Sequence, residues 1–438
     1  MNDTTDGRGH PMRELDDSVR IDAALFATLM EKVSEFGDTG DGGVNRPVLT
    51  DAHKAARDWL CDTLRSRGYK VLIDDIGNLF GQIDLAGPDA PLVMLGSHLD
   101  SQPFGGRFDG AYGVIVALAA VESWRARAEV AGVAPSCNFV IADWMNEEGA
   151  RFQPSLLGSS VYAGTVARDF ALARIDMSGA TVEAELTRTG YKGSDSAPKP
   201  ICFIEFHIEG DDKMEKSGAT IAPFVRHWGA SKVRIEVTGE QNHTGPTPMQ
   251  DRHDAVLGAA YIIAKVKEIA DAAADTLYTS VARVDVFPNS PNIVPGKAVL
   301  FAELRAPEPV MLEWAEAELR AALPGLAARA AVKAEISEVE RRPAGRFDAV
   351  LIALCEQVAD DLGLQRMQLD TIAGHDGVAL NGIMPSIVVA VPSVNGVIHR
   401  NDEFTSEEDL IAGGNVLLQM IERIDAAGGD LAKAGGTK

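Results

Sequence analysis

Pro91–Glu122 reads PLVMLGSHLDSQPFGGRFDGAYGVIVALAAVE. It opens on the apolar run Leu92-Val93-Met94-Leu95. Such a run fits a parallel strand buried on both faces. The run ends in Gly96-Ser97-His98-Leu99-Asp100, and a Gly-rich loop follows. Asp109-Gly110 then opens a long apolar helix, expected over Ala111 to Trp124. His98 therefore falls at the C-terminal end of a strand and Asp109 at the N-terminal end of a helix. In open α/β sheets ligands bind along that edge. A neutral imidazole and a carboxylate suit zinc or a similar divalent ion. The competing reading makes Asp109 a helix cap and His98 a satisfied core histidine.

Working outward, the 438 residues are too many for one ordinary core, so two or three domains are expected. Sixty-four acids against 41 Lys and Arg give a net charge of −23. That balance argues against nucleic acid and anionic membrane as partners. An anionic small substrate would need a local arginine. Cys61, Cys137, Cys202 and Cys355 lie far apart and form no CxxC. They read as reduced, buried thiols of a cytoplasmic protein. No signal-peptide core and no long apolar span is visible.

Residues 1–20 read as a flexible polar arm, and the Ala/Gly-rich tail after Asp425 as frayed. Helices are expected over Arg20 to Phe36 and from Asp51 to Arg67, the second ended by Gly68. A hairpin follows around Asp75-Ile76-Gly77. Asn138–Trp144 is a second buried strand, running into Met145-Asn146-Glu147-Glu148-Gly149. Just past a strand end both carboxylates can approach one site. One could hold a metal while the other handles a proton; an isolated acidic loop is the plain alternative. Ile201–Glu209 again places a histidine, His207, near a strand end.

The pattern then changes. Ser231–Val237 alternates at period two. The turn-rich stretch Gln241–Met249 precedes a helix over Asp254 to Ala270. Strands at Tyr278–Val286 and Lys297–Leu304, a helix at Pro309–Leu323 and a strand at Ala331–Val339 complete a βαββαβ-like insert. The α/β pattern resumes with a helix over Phe347 to Gly363, a strand at Ser386–Val391 and a last helix from Ser406. The expected architecture is α/β. A catalytic domain with a mainly parallel sheet flanked by helices spans 1–230 and 346–438, and an inserted α+β domain spans 231–345.

His98, Asp109, Glu148 or Glu147, His207 and His399 fall in one domain. Five N/O ligands are too many for one tetrahedral zinc. They suit two metals about 3.5–4 Å apart that share a carboxylate.

At this point the chain resembles the M20-type metallohydrolases, in particular the hydantoinase/carbamoylase branch. The segments that carry the resemblance are GSHLDSQPFGGRFDGAYGV, NEEGARF, LGSSVYAG, IEFHIEG, NHTGPTPMQDRHDA, PNSPNIVPG, AGHDGVAL and GVIHRNDEFTSEED. The resemblance implies a two-metal catalytic domain and a lid that also makes a homodimer. It implies Asp109 as the bridge, His98, Glu148, His207 and His399 as the other ligands, and Glu147 as general base. His243 would steady the oxyanion in the partner subunit's site. Asn292 and Arg305 would hold a substrate carboxylate, for which an arginine fork is suited. Without the resemblance Arg305 reads as a surface ion pair with Glu303 or Glu308. His375 is placed near the substrate, with Asp376 beside it. His10, His53, His227 and His253 read as surface or structural.

The implied activity is metal-dependent hydrolysis of a linear C–N bond in an N-carbamoyl or N-acyl amino acid. Zinc is the first choice of metal, with Mn, Co or Ni open. An aminoacylase or small-peptide hydrolase of the same fold is the alternative, and a non-catalytic metal-binding homologue a third. Three departures bear on the substrate. The branch's His-Ile-Glu-Gln-Gly is His207-Ile208-Glu209-Gly210-Asp211, its Leu-Asp-x-Arg is Ala302-Glu303-Leu304-Arg305, and its Ser before the last His is Ile398.

Overall fold

Apolar runs at Leu92–Ser97, Asn138–Asp143, Cys202–Ile208 and Ser386–Val391 form the centre of one sheet in the computed structural model, which describes residues 20–435. The sheet order is 70–73, 79–83, 138–143, 92–97, 202–208, 386–391, 222–227. The four central strands run parallel to one another. The hairpin 70–73/79–83 and the strand Ala222–His227 flank them antiparallel. The alternation of side chains explains why the runs are continuous. Val93, Leu95, Phe139, Ile141 and Ile204 enter the main core, while Met94, Val140, Ala142 and Phe203 enter a second core on Trp144 and Leu380. Both faces are therefore covered, and each fully buried large side chain contributes roughly 1.5–3 kcal/mol.

The chain divides into two compact units. The first holds the described residues up to Val225, Phe347–Leu369, and the chain from Gly374 onward. Its central helix spans Ala111–Ala131, longer than the expected end at Trp124, and stops at Gly132 in the left-handed region. Every residue from Ala111 to Val121 is buried, so the helix needs no polar face. The last long helix, Glu407–Ala426, is capped by Ser406. The expected fraying after Asp425 does not occur up to Gly435. Asp425 accepts the N–H groups of Ser136 and Cys137, and a short helix follows at Leu431–Ala434. The expected arm over residues 1–20 lies, but for Arg20, outside the described residues.

The second unit is Arg226–Arg346 with Asp370–Ala373. Residues 370–373, expected in the catalytic domain, pack here: Asp370 pairs with Arg226, and Thr371 accepts the Trp228 N–H. Four antiparallel strands run in the order 333–342, 229–238, 297–306, 278–287. Helices Ala255–Ala272 and Pro309–Arg329 cover one face through Ile262, Val266, Leu312, Leu319 and Leu323. The second helix was expected to end at Leu323, but it runs through Pro324. Proline removes one N–H from the ladder, while Leu319, Leu323 and Ala327 keep the helix on its apolar stripe.

Candidate metal centre

The site lies at the C-terminal edge of the parallel strands of the first unit. His98 follows Leu92–Ser97 directly, and its Nδ1 donates to the Asp100 carbonyl at 2.8 Å. That bond leaves Nε2 free for a ligand role, the arrangement in which metal-binding histidines are held. His98 Nε2 is buried without a hydrogen bond, and the Glu147 carboxylate lies 3.5 Å away. Burial pulls the His98 imidazole down to about 4, so the ring is neutral.

Asp109 does not cap its helix. The N-cap is Gly110, at φ 68°, and no side chain caps there. A Cβ on Gly110 would run into the His98 ring, so the turn requires glycine twice over, by dihedral and by space. The Asp109 carboxylate turns inward instead. Its Oδ1 is 3.0 Å from His207 Nε2 and its Oδ2 is 3.2 Å from His399 Nε2. His207 sits in Cys202–Ile208, with Nδ1 donating to the Ile208 carbonyl at 2.9 Å. His399 holds a positive φ of 61° and also lies 3.3 Å from Glu148 Oε2. Burial opposes a charge on both rings, but Asp109 overrides it and pushes each up to about 9.

Two groups of ligand atoms result, each drawn within 4.8 Å: His98, Asp109 and His207, and Asp109, Glu148 and His399. Asp109 belongs to both. Glu148 is fixed by Gln102, whose N and Nε2 each donate to it at 2.9 Å. Asn146 sets the Glu147-Glu148 turn at φ 58° and donates to the Phe152 and Pro154 carbonyls. Burial first, then Asp376, Glu148 and Asp100, pushes Glu147 well above the usual carboxylate range. Burial and Asp109 bring Glu148 up to about 7.

Sequence reasoning passed over three carboxylates here. Asp100 accepts the N–H groups of Glu147 and Glu148 at 3.2 and 3.3 Å and lies 3.6 Å from His98 Nδ1. Its position two residues past His98 at a strand end was the signal available. Glu205 accepts from Ser97 Oγ and the Gly377 N–H. Glu403 accepts from Phe108 and Asp109. His375 packs edge-on to His207, with ring centres 4.6 Å apart, and stacks on Phe224.

His243, Asn292 and Arg305 belong to the second unit. His243 is exposed on a two-strand ribbon with Ile293–Val294, and the Thr244 N–H donates to the Asn292 carbonyl. Gly245 N donates to His243 Nδ1 at 2.9 Å, which leaves Nε2 to carry the proton of the neutral ring. Arg305 is engaged by Glu303, at 2.9 and 3.0 Å, and by the Ile372 carbonyl. His53 and His227 are buried, and His253 bonds the Ala331 carbonyl; His10 lies outside the described residues.

The donor set fits a divalent cation: three imidazoles, crowded carboxylates, and no thiol in either group. The model of peptidase family M20/M25/M40 matches residues 94–423. The chain belongs to that family. Membership makes it a hydrolase. An N-carbamoyl-L-amino-acid amidohydrolase from Rhizobium meliloti is 33% identical over 399 residues, covering 91% of this chain and 95% of that protein. The allantoate amidohydrolase of Bacillus subtilis is 28% identical over 401 residues, covering 90% and 96%. A hydantoinase/carbamoylase family amidase from Burkholderia vietnamiensis superposes with a TM-score of 0.89 at 33% identity, covering 97% and 100%. Among the described residues no helix is long and apolar enough to cross a membrane.

Proposed function

We propose that this M20 hydrolase cleaves a linear amide or ureido C–N bond in an N-carbamoyl or N-acyl amino acid. The observation that carries this is Asp109, whose two oxygens face two separate ligand groups. His98, Asp109 and His207 would hold one divalent ion, and Asp109, Glu148 and His399 a second, with zinc first and Mn, Co or Ni as alternatives. Bound there, such ions polarise a carbonyl and make a water acidic. Glu147, beside His98 yet in neither group, takes the proton of the attacking water and returns it to the leaving nitrogen. His243 of the partner subunit, through Nε2–H, supports the carbonyl oxygen as it gains charge. Asn292 and Arg305 receive the substrate carboxylate, for which Arg305 exchanges its Glu303 partner; His375 lines the site behind His207. The relatives named for N-carbamoyl amino acids and allantoate support the substrate class.

One observation favours the second reading, an aminoacylase or small-peptide hydrolase. A Cβ at Gly210 would lie 3.4 Å from Ile398. The two positions where the chain departs from the polar Gln and Ser of the branch are thus neighbours, and both are non-polar here. A substrate panel on metal-loaded protein decides between them. Ammonia release from N-carbamoyl amino acids is expected for the first reading. Amine release from N-acetyl amino acids or dipeptides alone would establish the second.

A further inference from the structure

Glu403 lies four residues past His399 and is 4% exposed. Its Oε1 accepts two N–H groups from a segment distant in sequence, Phe108 at 2.9 Å and Asp109 at 3.1 Å. These groups precede a 21-residue helix that has no side-chain cap of its own. A carboxylate there also meets the positive end of the helix dipole. Glu403 Oε2 is buried with no hydrogen-bond partner among the described residues. The Glu403 N–H bonds the Arg400 carbonyl, which closes the turn Arg400–Glu403 directly after His399. Gly106 completes the arrangement, because a Cβ on it would overlap the Glu403 carboxylate.

We propose that Glu403 is the positioning residue that locks the Asp109 turn to the His399 loop, so that Asp109 presents one oxygen to each ligand group. The backbone of Asp109 has little freedom to choose its own aim: Gly110 after it is in the left-handed region, and Phe108 before it is gripped by the same carboxylate. Two segments almost 300 residues apart are set against each other by one carboxyl oxygen. This inference rests on the metal-pair reading of Asp109.

The test is zinc binding to chelator-stripped protein, followed by calorimetry and by metal analysis after dialysis. Glu403→Ala is expected to weaken zinc binding by about 10–100-fold, the scale for losing a group that orients a metal ligand. Glu403→Gln keeps an acceptor oxygen for both N–H groups and is expected to stay within several-fold of wild type. Gly106→Ala displaces the carboxylate and should weaken zinc as Glu403→Ala does. In the double variant the new methyl has room, so its loss should be no larger than that of either single variant. Additive losses in the double variant, or unchanged zinc binding in Glu403→Ala, would overturn the proposal. A wild-type chain that binds no zinc, manganese, cobalt or nickel would instead sink the metal-pair reading, and this inference with it.

Discussion

Glu147 and Glu148 are adjacent in sequence but differ in what each one faces. Glu148 has Gln102 on both oxygens and His399 at 3.3 Å. Glu147 has His98 at 3.5 Å and a buried, acid-rich surrounding. Glu147→Gln is therefore expected to retain metal and lose turnover by about 10²–10⁴-fold, the usual scale for a general base. Glu148→Gln is expected to weaken metal binding itself. Metal content and kcat measured on both variants check this, and the reverse pattern would swap the two roles. The candidate ligands stood out in the sequence because the histidines and the glutamate pair fall at or past the ends of apolar runs, while Asp109 stands at the start of the long apolar helix. The two glutamates could not be told apart there, because adjacency carries no direction beyond a strand end. Asp100 and Glu403 were hidden for another reason. Both act by accepting backbone N–H groups, and a chain with 64 acids gives no spacing that marks such acceptors.

Beneath the site, elements are joined by buried charge. Arg57, on the helix Asp51–Ser66, donates to Asp143 at 2.7 Å at the end of Asn138–Asp143, and both side chains are inaccessible. Asp143 also accepts the Leu99 N–H, and Arg46 Nε donates to the Leu99 carbonyl. The His98 turn is thus held by its peptide groups from below. One turn before Arg57, His53 accepts the N–H of Leu49, a residue at φ 58°, at 3.0 Å. Burial, then Arg57 and Arg46, keeps the His53 imidazole well below its ordinary 6.5. The sign follows from linkage: the unfolded chain takes up this proton near pH 6.5 and the folded chain does not. The contribution to stability is complete above about pH 6.5 and is lost as pH falls below it. Between pH 7.5 and 5.5 the urea midpoint of His53→Gln is expected to gain on that of the wild type, because the variant has no imidazole to protonate on unfolding. Equal slopes in the two proteins would assign the acid sensitivity to other groups. Periodicity found the long elements but misjudged their ends. The helix through Pro324 continues while Leu323 and Ala327 remain to be covered, whereas past Trp124 only Ala128 is buried and the helix runs on until Gly132 takes the left-handed region. The segment after Asp425 stays ordered to Gly435 because Asp425 caps the chain at Ser136 and Cys137, a pairing across almost 290 residues that no local pattern encodes.

At the scale of the whole molecule, the four-stranded sheet ends on Tyr278–Phe287, an edge that carries exposed Tyr278, Val284 and Phe287. A long apolar edge invites pairing with another chain. A second copy of this chain would cover it, and a homodimer in solution is expected by light scattering or sedimentation. His243 is exposed on the same unit, with Nδ1 already occupied by the Gly245 N–H and Nε2–H left as its donor. If that donor serves the partner subunit's site, removing it costs catalysis and spares the metal. Loss of one oxyanion donor costs about 10²–10³ in rate, so His243→Ala is expected on that scale with unchanged metal content. Asp109→Ala should lose metal from both ligand groups, since it belongs to both. Mixing the two inactive proteins under subunit exchange gives the decisive measurement. In a heterodimer one site keeps Asp109 and receives an intact histidine from the partner, while the other has neither. Activity should then return to at most one site per heterodimer, about half the wild-type value for that species. Heterodimers verified by differential tagging that stay inactive would show that His243 works within its own chain or not at all.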